Sequence, residues 1–157
     1  MENYLRVLEE SLVKKWDVLC RIEELCFRQE RILDKEPVAE EEFDRSIEEK
    51  GMLIDELNKL DEGFESLYGH IKEQLMNGRE RYKPQIAALQ KKIKEVTEKS
   101  VAIQAQERRN KKLAEDFFSK SRHELKKGRR SSQAALNYYR SMNNSQVVSP
   151  QFMDKKK

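Results

Sequence analysis

A heptad pattern over residues 82–121 constrains this chain more than any other feature. Twelve residues recur there at alternating spacings of four and three, which places them along one side of a long helix. They are Tyr82, Ile86, Leu89, Ile93, Val96, Ser100, Ile103, Glu107, Asn110, Ala114, Phe117 and Ser121. A helix with such a stripe is not stable alone in water, because its apolar side needs a partner. We therefore interpret the other helical segments as surfaces on which this helix packs.

The stripe becomes polar partway along its length. It weakens at Ser100 and is polar at Glu107 and Asn110, before Phe117 restores a large apolar side chain. A polar residue in a helical seam usually fixes the register of the helices at some loss of stability. It can also mark the end of a partner helix or the binding place of a foreign one. We favour the first interpretation and keep the second open.

The composition argues against an enzyme. Charged residues make up 39% of the 157 residues and hydrophobic residues 37%, with five Gly and three Pro, which is typical of long exposed helices. Neither His70 nor His123 has a second His or Cys at metal-ligand spacing. Adjacent acidic residues on a helix point about 100° apart and so do not form acid–base pairs. We expect no enzymatic activity, no metal and no cofactor.

The chain has the features of a cytoplasmic protein. No apolar run approaches the roughly 20 residues that a membrane span needs. The start of the sequence is acidic and amphipathic, unlike a signal peptide. Cys20 and Cys26 are six residues apart, which on a helix separates their Cα atoms by about 9 Å, too far for a disulfide. We interpret both as reduced thiols.

Three helical patterns are separated by two short connections. The first covers residues 3–34, with Asn3 as its predicted N-cap and Trp16 as a predicted core residue. Pro37 favours an end before it and a new helix after it. The second pattern covers residues 40–76 and ends at Gly78, which follows Asn77. Short connections favour antiparallel neighbours, so the sequence predicts an all-α, antiparallel, coiled-coil-like bundle of three long helices.

The third pattern is longer than the other two. If it continued to residue 142 it would have about 60 residues and a length of about 90 Å. The excess either protrudes as a helical arm or breaks near Gly128 and forms a shorter fourth helix over residues 132–142. We assign residues 1–142 to the bundle domain and residues 143–157 to a flexible polar and basic tail.

Charge is divided unevenly along the chain. Residues 1–75 carry a net charge of −10 and residues 76–157 a net charge of +13. The favoured interpretation is that the acidic half packs along the basic half, because charges beside a seam select helix partners. The alternative is a nucleic-acid binder that uses the basic half. That half lacks a reading-helix motif, so we do not expect nucleic acid as a partner.

Large apolar side chains are unusually frequent after residue 112. If the first two helices end near the level of Leu113, part of this set has no internal partner. An unpartnered apolar stripe on a helix marks a site where another helix docks. The alternative, weighted equally, is that a folded-back fourth helix covers it. The predicted partner-binding residues are Leu113, Phe117, Phe118, Leu125, Leu136, Tyr138 and Tyr139.

The chain resembles the FlgN/FliT-type flagellar export chaperones. The resemblance extends over nearly the whole chain and is carried by residues 43–50 (FDRSIEEK), 57–64 and 103–111 (IQAQERRNK). The ending FMDKKK, residues 152–157, is similar to the tail of clostridial members.

The resemblance implies a small cytoplasmic helical bundle. Such a chaperone binds the terminal amphipathic helices of late export substrates, which are hook–filament junction proteins, the filament cap or flagellin. It keeps the client monomeric and delivers it to the export apparatus. The family binds clients largely through its C-terminal helical region, where the seven residues named above lie. The residues themselves also allow a structural coiled-coil scaffold that forms a homodimer through the same stripe.

Overall fold

The computed structural model describes residues 1–120 together with Ala135, Asn137 and Tyr138. The described elements are three helices: α1 (Glu2–Asp34), α2 (Glu40–Asn77) and α3 (Lys83–Lys120). These bounds agree closely with the three predicted patterns, and no strand occurs in this part of the chain. The predicted bundle of long helices is therefore confirmed. Most of the predicted fourth helix over residues 132–142, the possible break at Gly128 and the tail over residues 143–157 lie outside the described residues, so these stay predictions.

Local sequence signals explain most of the helix ends. Helix α1 ends at Asp34, ahead of Pro37, and the peptide bond before that proline is cis. Helix α2 ends at Asn77, where the N–H of Gly78 donates to the carbonyl of Gln74 at 3.0 Å. The predicted cap of α1 is wrong. The helix begins at Glu2 after Met1 with no side-chain cap, and Asn3 lies within its first turn.

Helix α1 is the centre of the bundle. It packs along both other helices, whereas the backbones of α2 and α3 rarely approach each other closely. Lys15 lies 2.7 Å from Asp61, and Gln29 donates to Ser46 at 2.9 Å, so α1 and α2 are antiparallel. Lys99 lies 2.9 Å from Glu23, and Asn110 donates to the carbonyl of Cys26, so α1 and α3 are parallel.

The core is a long seam between the helices. Its fully buried members include residues from all three helices, and the buried positions of α3 follow the predicted heptads. They include Leu8, Leu19, Ile22, Phe43, Ile54, Leu75, Leu89, Ile93 and Ile103. Trp16 was predicted to be a core residue, and this prediction is wrong. Its side chain is 39% exposed, and the ammonium nitrogen of Lys99 lies 4.7 Å from its ring centroid. None of the described helices has an apolar stretch suited to crossing a bilayer.

Candidate functional site

Three of the predicted partner-binding residues lie on the last two turns of α3. Leu113, Phe117 and Phe118 are each half-buried. Leu113 and Phe118 pack against the core. Phe118 also meets the ring of Phe43 edge-on, with centroids 6.0 Å apart. The apolar end of α3 is therefore attached to the first turn of α2, and it is neither fully exposed nor fully covered.

Phe117 borders an open cleft at this end of the bundle. Its ring centroid lies 5.2 Å from that of Phe118, so the two rings form one aromatic surface. The cleft has a volume of about 890 Å³ and opens to solvent. Its other walls are the α1–α2 connection, the start of α2 and the end of α3, with lining residues Glu36, Pro37, Val38, Ala39, Glu40, Glu41, Glu42, Arg45 and Lys120. The charged lining is mostly acidic, with four glutamates against Arg45 and Lys120. An aromatic ring beside such a lining suits an amphipathic helix with basic residues on its polar face.

Tyr138 lies in the core and not on the surface. Only 4% of its area is exposed, and its ring centroid lies 4.2 Å from the ammonium nitrogen of Lys50. Ala135 is equally buried. In this conformation Tyr138 is not accessible to a partner. The remaining predicted residues, Leu125, Leu136 and Tyr139, lie outside the described part of the chain.

A cluster of buried polar residues lies beneath Tyr138, and we call it the polar cluster. Lys50 is completely buried and forms a 2.6 Å ion pair with Glu107. The same ammonium donates to the side-chain carbonyl of Gln29. The Cys26 thiol donates to the Glu107 carboxylate oxygen that Lys50 also contacts. The cluster comprises Cys26, Gln29, Ser46, Lys50, Gln106, Glu107 and Asn110, and thus joins all three helices.

Amide side chains extend the polar cluster across α1. Asn110 of α3 donates to the backbone carbonyl of Cys26 at 2.8 Å, and Gln106 donates to Asn110 at 3.0 Å. Gln29 donates to Ser46, whose hydroxyl donates to the carbonyl of Phe43 at 2.6 Å. Buried polar groups without partners are costly, so these directional contacts are satisfied in only one alignment of the helices. The polar break at Glu107 and Asn110 therefore fixes the register of α3 on α1 and α2.

The electrostatics of the polar cluster keep its thiol neutral. Burial is the main reason that the pKa of Cys26 is raised far above its ordinary value, the nearby Glu107 adds to the effect, and Lys50 opposes it. A protonated thiol can donate to the carboxylate, as observed. The second oxygen of Glu107, Oε2, is buried and has no hydrogen-bond partner among the described residues. A neutral, buried thiol is a poor nucleophile, so this arrangement is suited to structure and not to covalent chemistry.

A second buried ion pair joins α1 to α2 alone. Lys15 and Asp61 lie 2.7 Å apart, with side-chain exposures of 10% and 5%. Burial raises the pKa of the Asp61 carboxyl, and the adjacent Lys15 lowers it by a smaller amount.

The sequence identified some of these polar residues but not which of them contact each other. The breaks at Glu107 and Asn110 were identified as polar side chains in apolar heptad positions. Which break pairs with which was not visible, because the pairing depends on the register of the helices. Searches against family models, curated proteins and solved structures found no match to this chain.

Proposed function

We propose that this protein is a cytoplasmic chaperone for late flagellar export substrates. It binds the terminal amphipathic helix of a hook–filament junction protein, the filament cap or flagellin, keeps that client monomeric, and delivers it to the export apparatus. The sequence resemblance over residues 43–50, 57–64 and 103–111 supports the proposal. So does the all-helical fold, which offers grooves between helices as docking places for a further helix.

The observation that carries the proposal is the position of Phe117. This ring is half-buried and lies at the edge of an open cleft, on the segment of α3 where the excess of apolar residues begins. A solvent-accessible aromatic side chain beside a cleft is a typical anchor point for a partner. Leu113 and Phe118 support it from the core side. Among the described residues, the docking surface therefore centres on Phe117.

The charges around the cleft indicate the character of the client helix. Glu40, Glu41 and Glu42 form the first turn of α2 and line the cleft. A client helix that places an apolar residue on Phe117 and basic residues toward this turn matches both features. The acidic turn then contributes mainly to the rate and orientation of binding, and Phe117 to its strength.

Peptide binding tests the proposal. We expect synthetic terminal helices of late export substrates to bind the full chain, measured by fluorescence anisotropy or calorimetry. Phe117→Ala should weaken binding by about tenfold or more, the effect of removing an anchor worth at least about 1.4 kcal/mol. Val101→Ala is the matched control, because Val101 is an apolar residue of α3 with 55% exposure and is not among the cleft residues.

Two results would count against this function. If no terminal helix of any late substrate binds the wild-type protein, the chaperone assignment is wrong. If the peptides bind but Phe117→Ala and Val101→Ala behave alike, the docking surface lies elsewhere on the bundle.

A further inference from the structure

Helix α1 has a second apolar stripe outside the face that forms the core. Val13, Trp16 and Phe27 are exposed by 52%, 39% and 43% of their surface, and Cys20 is half-buried between them. These four residues follow a heptad pattern, since 13, 20 and 27 are seven apart and 16 is three further along than 13. Three of the seven large exposed hydrophobic residues in the described part of the chain therefore belong to one stripe.

This stripe is distinct from the face of α1 that forms the core. The inward face carries Leu12, Leu19 and Cys26, which are buried. The outer stripe is bounded on one side by α3, where Lys99 lies over the ring of Trp16 and pairs with Glu23. Its large side chains, Val13, Trp16 and Phe27, each keep about two fifths to one half of their surface exposed. A second seam on the same helix is typical of a helix that packs on two sides.

A row of alternating charges lies along the other side of the stripe. Its six side chains are exposed, recur at spacings of four and three, and alternate strictly between negative and positive. They are Glu10, Lys14, Asp17, Arg21, Glu24 and Arg28. Within the row Asp17 and Arg21 pair at 2.9 Å, and Arg28 approaches Glu49 of α2 only to 3.7 Å.

The row of charges is complementary to a second copy of itself that runs in the opposite direction. A strictly alternating row of six, reversed end to end, presents the opposite sign at every position. Two copies of α1 that pack antiparallel about a twofold axis keep both rows on the same side of the seam and place unlike charges against each other. Two parallel copies would put the two rows on opposite sides of the seam, where they could not pair. In that register Glu10 of one copy lies opposite Arg28 of the other, so Phe27 of one copy lies near Val13 of the other. Aromatic residues such as Trp16 and Phe27 are enriched at protein interfaces.

We propose that this protein forms a twofold-symmetric homodimer through the outer face of α1, with the two α1 helices antiparallel. The interface is isologous, because the same stripe and the same charged row serve both copies. It lies on α1, whereas the cleft beside Phe117 is formed by other elements, so the dimer does not depend on the chaperone function. It also differs from a scaffold that dimerises through the C-terminal apolar residues.

Sedimentation equilibrium of the full chain is the first test. We expect a reversible monomer–dimer equilibrium in the wild type, and at least a tenfold increase of the dimer dissociation constant for Phe27→Glu. Val101→Glu places the same charge on an exposed apolar residue of α3 and should dimerise like the wild type. Circular dichroism and thermal unfolding of both variants, recorded at a concentration where the wild type is monomeric, confirm that the bundle is intact.

A charge exchange is the second test, and it is specific to the row. Arg21→Glu with Arg28→Glu makes one chain with four successive acidic positions, and Asp17→Arg with Glu24→Arg makes a basic counterpart. Each double variant should be monomeric alone, and an equimolar mixture should form a heterodimer. A wild type that stays monomeric at every concentration overturns the proposal. So does a dimer that is unaffected by Phe27→Glu, or double variants that self-associate as the wild type does.

Discussion

The two ends of the bundle bury different kinds of side chain. Where α1 begins and α2 ends, Leu5, Leu8, Ile71 and Leu75 are buried with 2% exposure or less. At the other end the residues buried between the helices are those of the polar cluster. Of the eight buried polar or charged residues in the described part of the chain, only Lys15 and Asp61 lie outside the cluster. The apolar end contributes stability without strong directional preference, and the polar end decides how the helices align.

The two buried ion pairs sharpen this comparison. Lys15–Asp61 connects two helices that a short loop already makes neighbours, so it selects little beyond their local register. Lys50–Glu107 connects α2 to α3, whose backbones are otherwise well separated, and α1 joins this pair through Cys26 and Gln29. A polar contact has the largest influence on helix alignment where the helix backbones are farthest apart, because fewer apolar contacts there oppose a sliding of one helix along the other.

Removing Lys50 should have the largest effect on stability. Lys50→Met leaves the Glu107 carboxylate buried without its cation, and breaking a buried pair in this way lowers the free energy of unfolding by about 3–5 kcal/mol. Urea unfolding followed by circular dichroism measures the loss. The double variant Lys50→Met with Glu107→Leu should recover most of it, because neither charge is then buried alone.

Two further variants show whether this effect belongs to the polar end. Lys59→Met changes an exposed lysine of the same helix and should alter the free energy of unfolding by no more than about 0.5 kcal/mol. Leu8→Ala at the apolar end should cost about 2–5 kcal/mol and add to the Lys50→Met loss without coupling. If the Lys50/Glu107 double variant is as unstable as Lys50→Met alone, the pair does not have the assigned role.

The Lys15–Asp61 pair should make stability depend on pH in an unusual direction. Burial raises the pKa of Asp61, so the folded protein retains this proton at pH values where the unfolded chain has lost it. The contribution of Asp61 to the free energy of unfolding therefore falls as pH rises from the ordinary aspartate pKa through the raised value. Urea unfolding between about pH 3 and pH 7 should show this downward contribution in the wild type and not in Asp61→Asn.

Asp55→Asn is the control for that experiment. Asp55 is an exposed carboxylate of α2, and its removal should leave the pH dependence close to that of the wild type. A wild type and an Asp61→Asn variant with parallel pH profiles would show that Asp61 titrates normally in the folded protein.

Glycines of α2 give the smallest predicted effects. A Cβ atom added at Gly51 or Gly69 would meet no atom within 4 Å. Gly51→Ala, beside the polar cluster, and Gly69→Ala, toward the apolar end, should each raise the free energy of unfolding by about 0.5–1 kcal/mol, because alanine loses less backbone entropy in a helix. Thermal unfolding measures both changes, and similar gains would show that the two ends unfold together.

Gly78→Ala should not give the same gain in the free energy of unfolding. An added Cβ there would lie 3.0 Å from the ring of Tyr82, so the ring must move before the substitution is accommodated. A gain at Gly78 equal to that at Gly69 would contradict the packing of Tyr82 against this turn.

The sequence was sufficient for the helices and insufficient for their pairing. Periodicity, Pro37 and Gly78 identified three helices within a few residues, because these signals are local. Trp16 was misplaced, since a large apolar side chain near a seam gives no indication of which side it faces once a helix has two stripes. The charge division predicted acidic residues of the first half opposite basic residues of the second. Glu23–Lys99 follows that rule, and the buried Lys50–Glu107 pair reverses it.

The predicted docking residues show the same limit at the site. Position along α3 placed Leu113, Phe117 and Phe118 together at one end of the bundle. It did not separate Phe117, which borders the cleft, from Phe118, which leans on Phe43. Adjacent residues on a helix differ by about 100° in direction, so the outcome depends on the partner helix and not on the residue type.

The sharing of one polar cluster among three helices has a consequence for synthesis on the ribosome. The α1–α2 hairpin leaves the exit tunnel first and already contains Lys50, but the carboxylate that pairs with this lysine lies 57 positions further along. If the nascent hairpin packed tightly around Lys50, it would bury the ammonium group without a counter-charge, which is costly. We therefore expect this end of the bundle to close only after α3 has been synthesised.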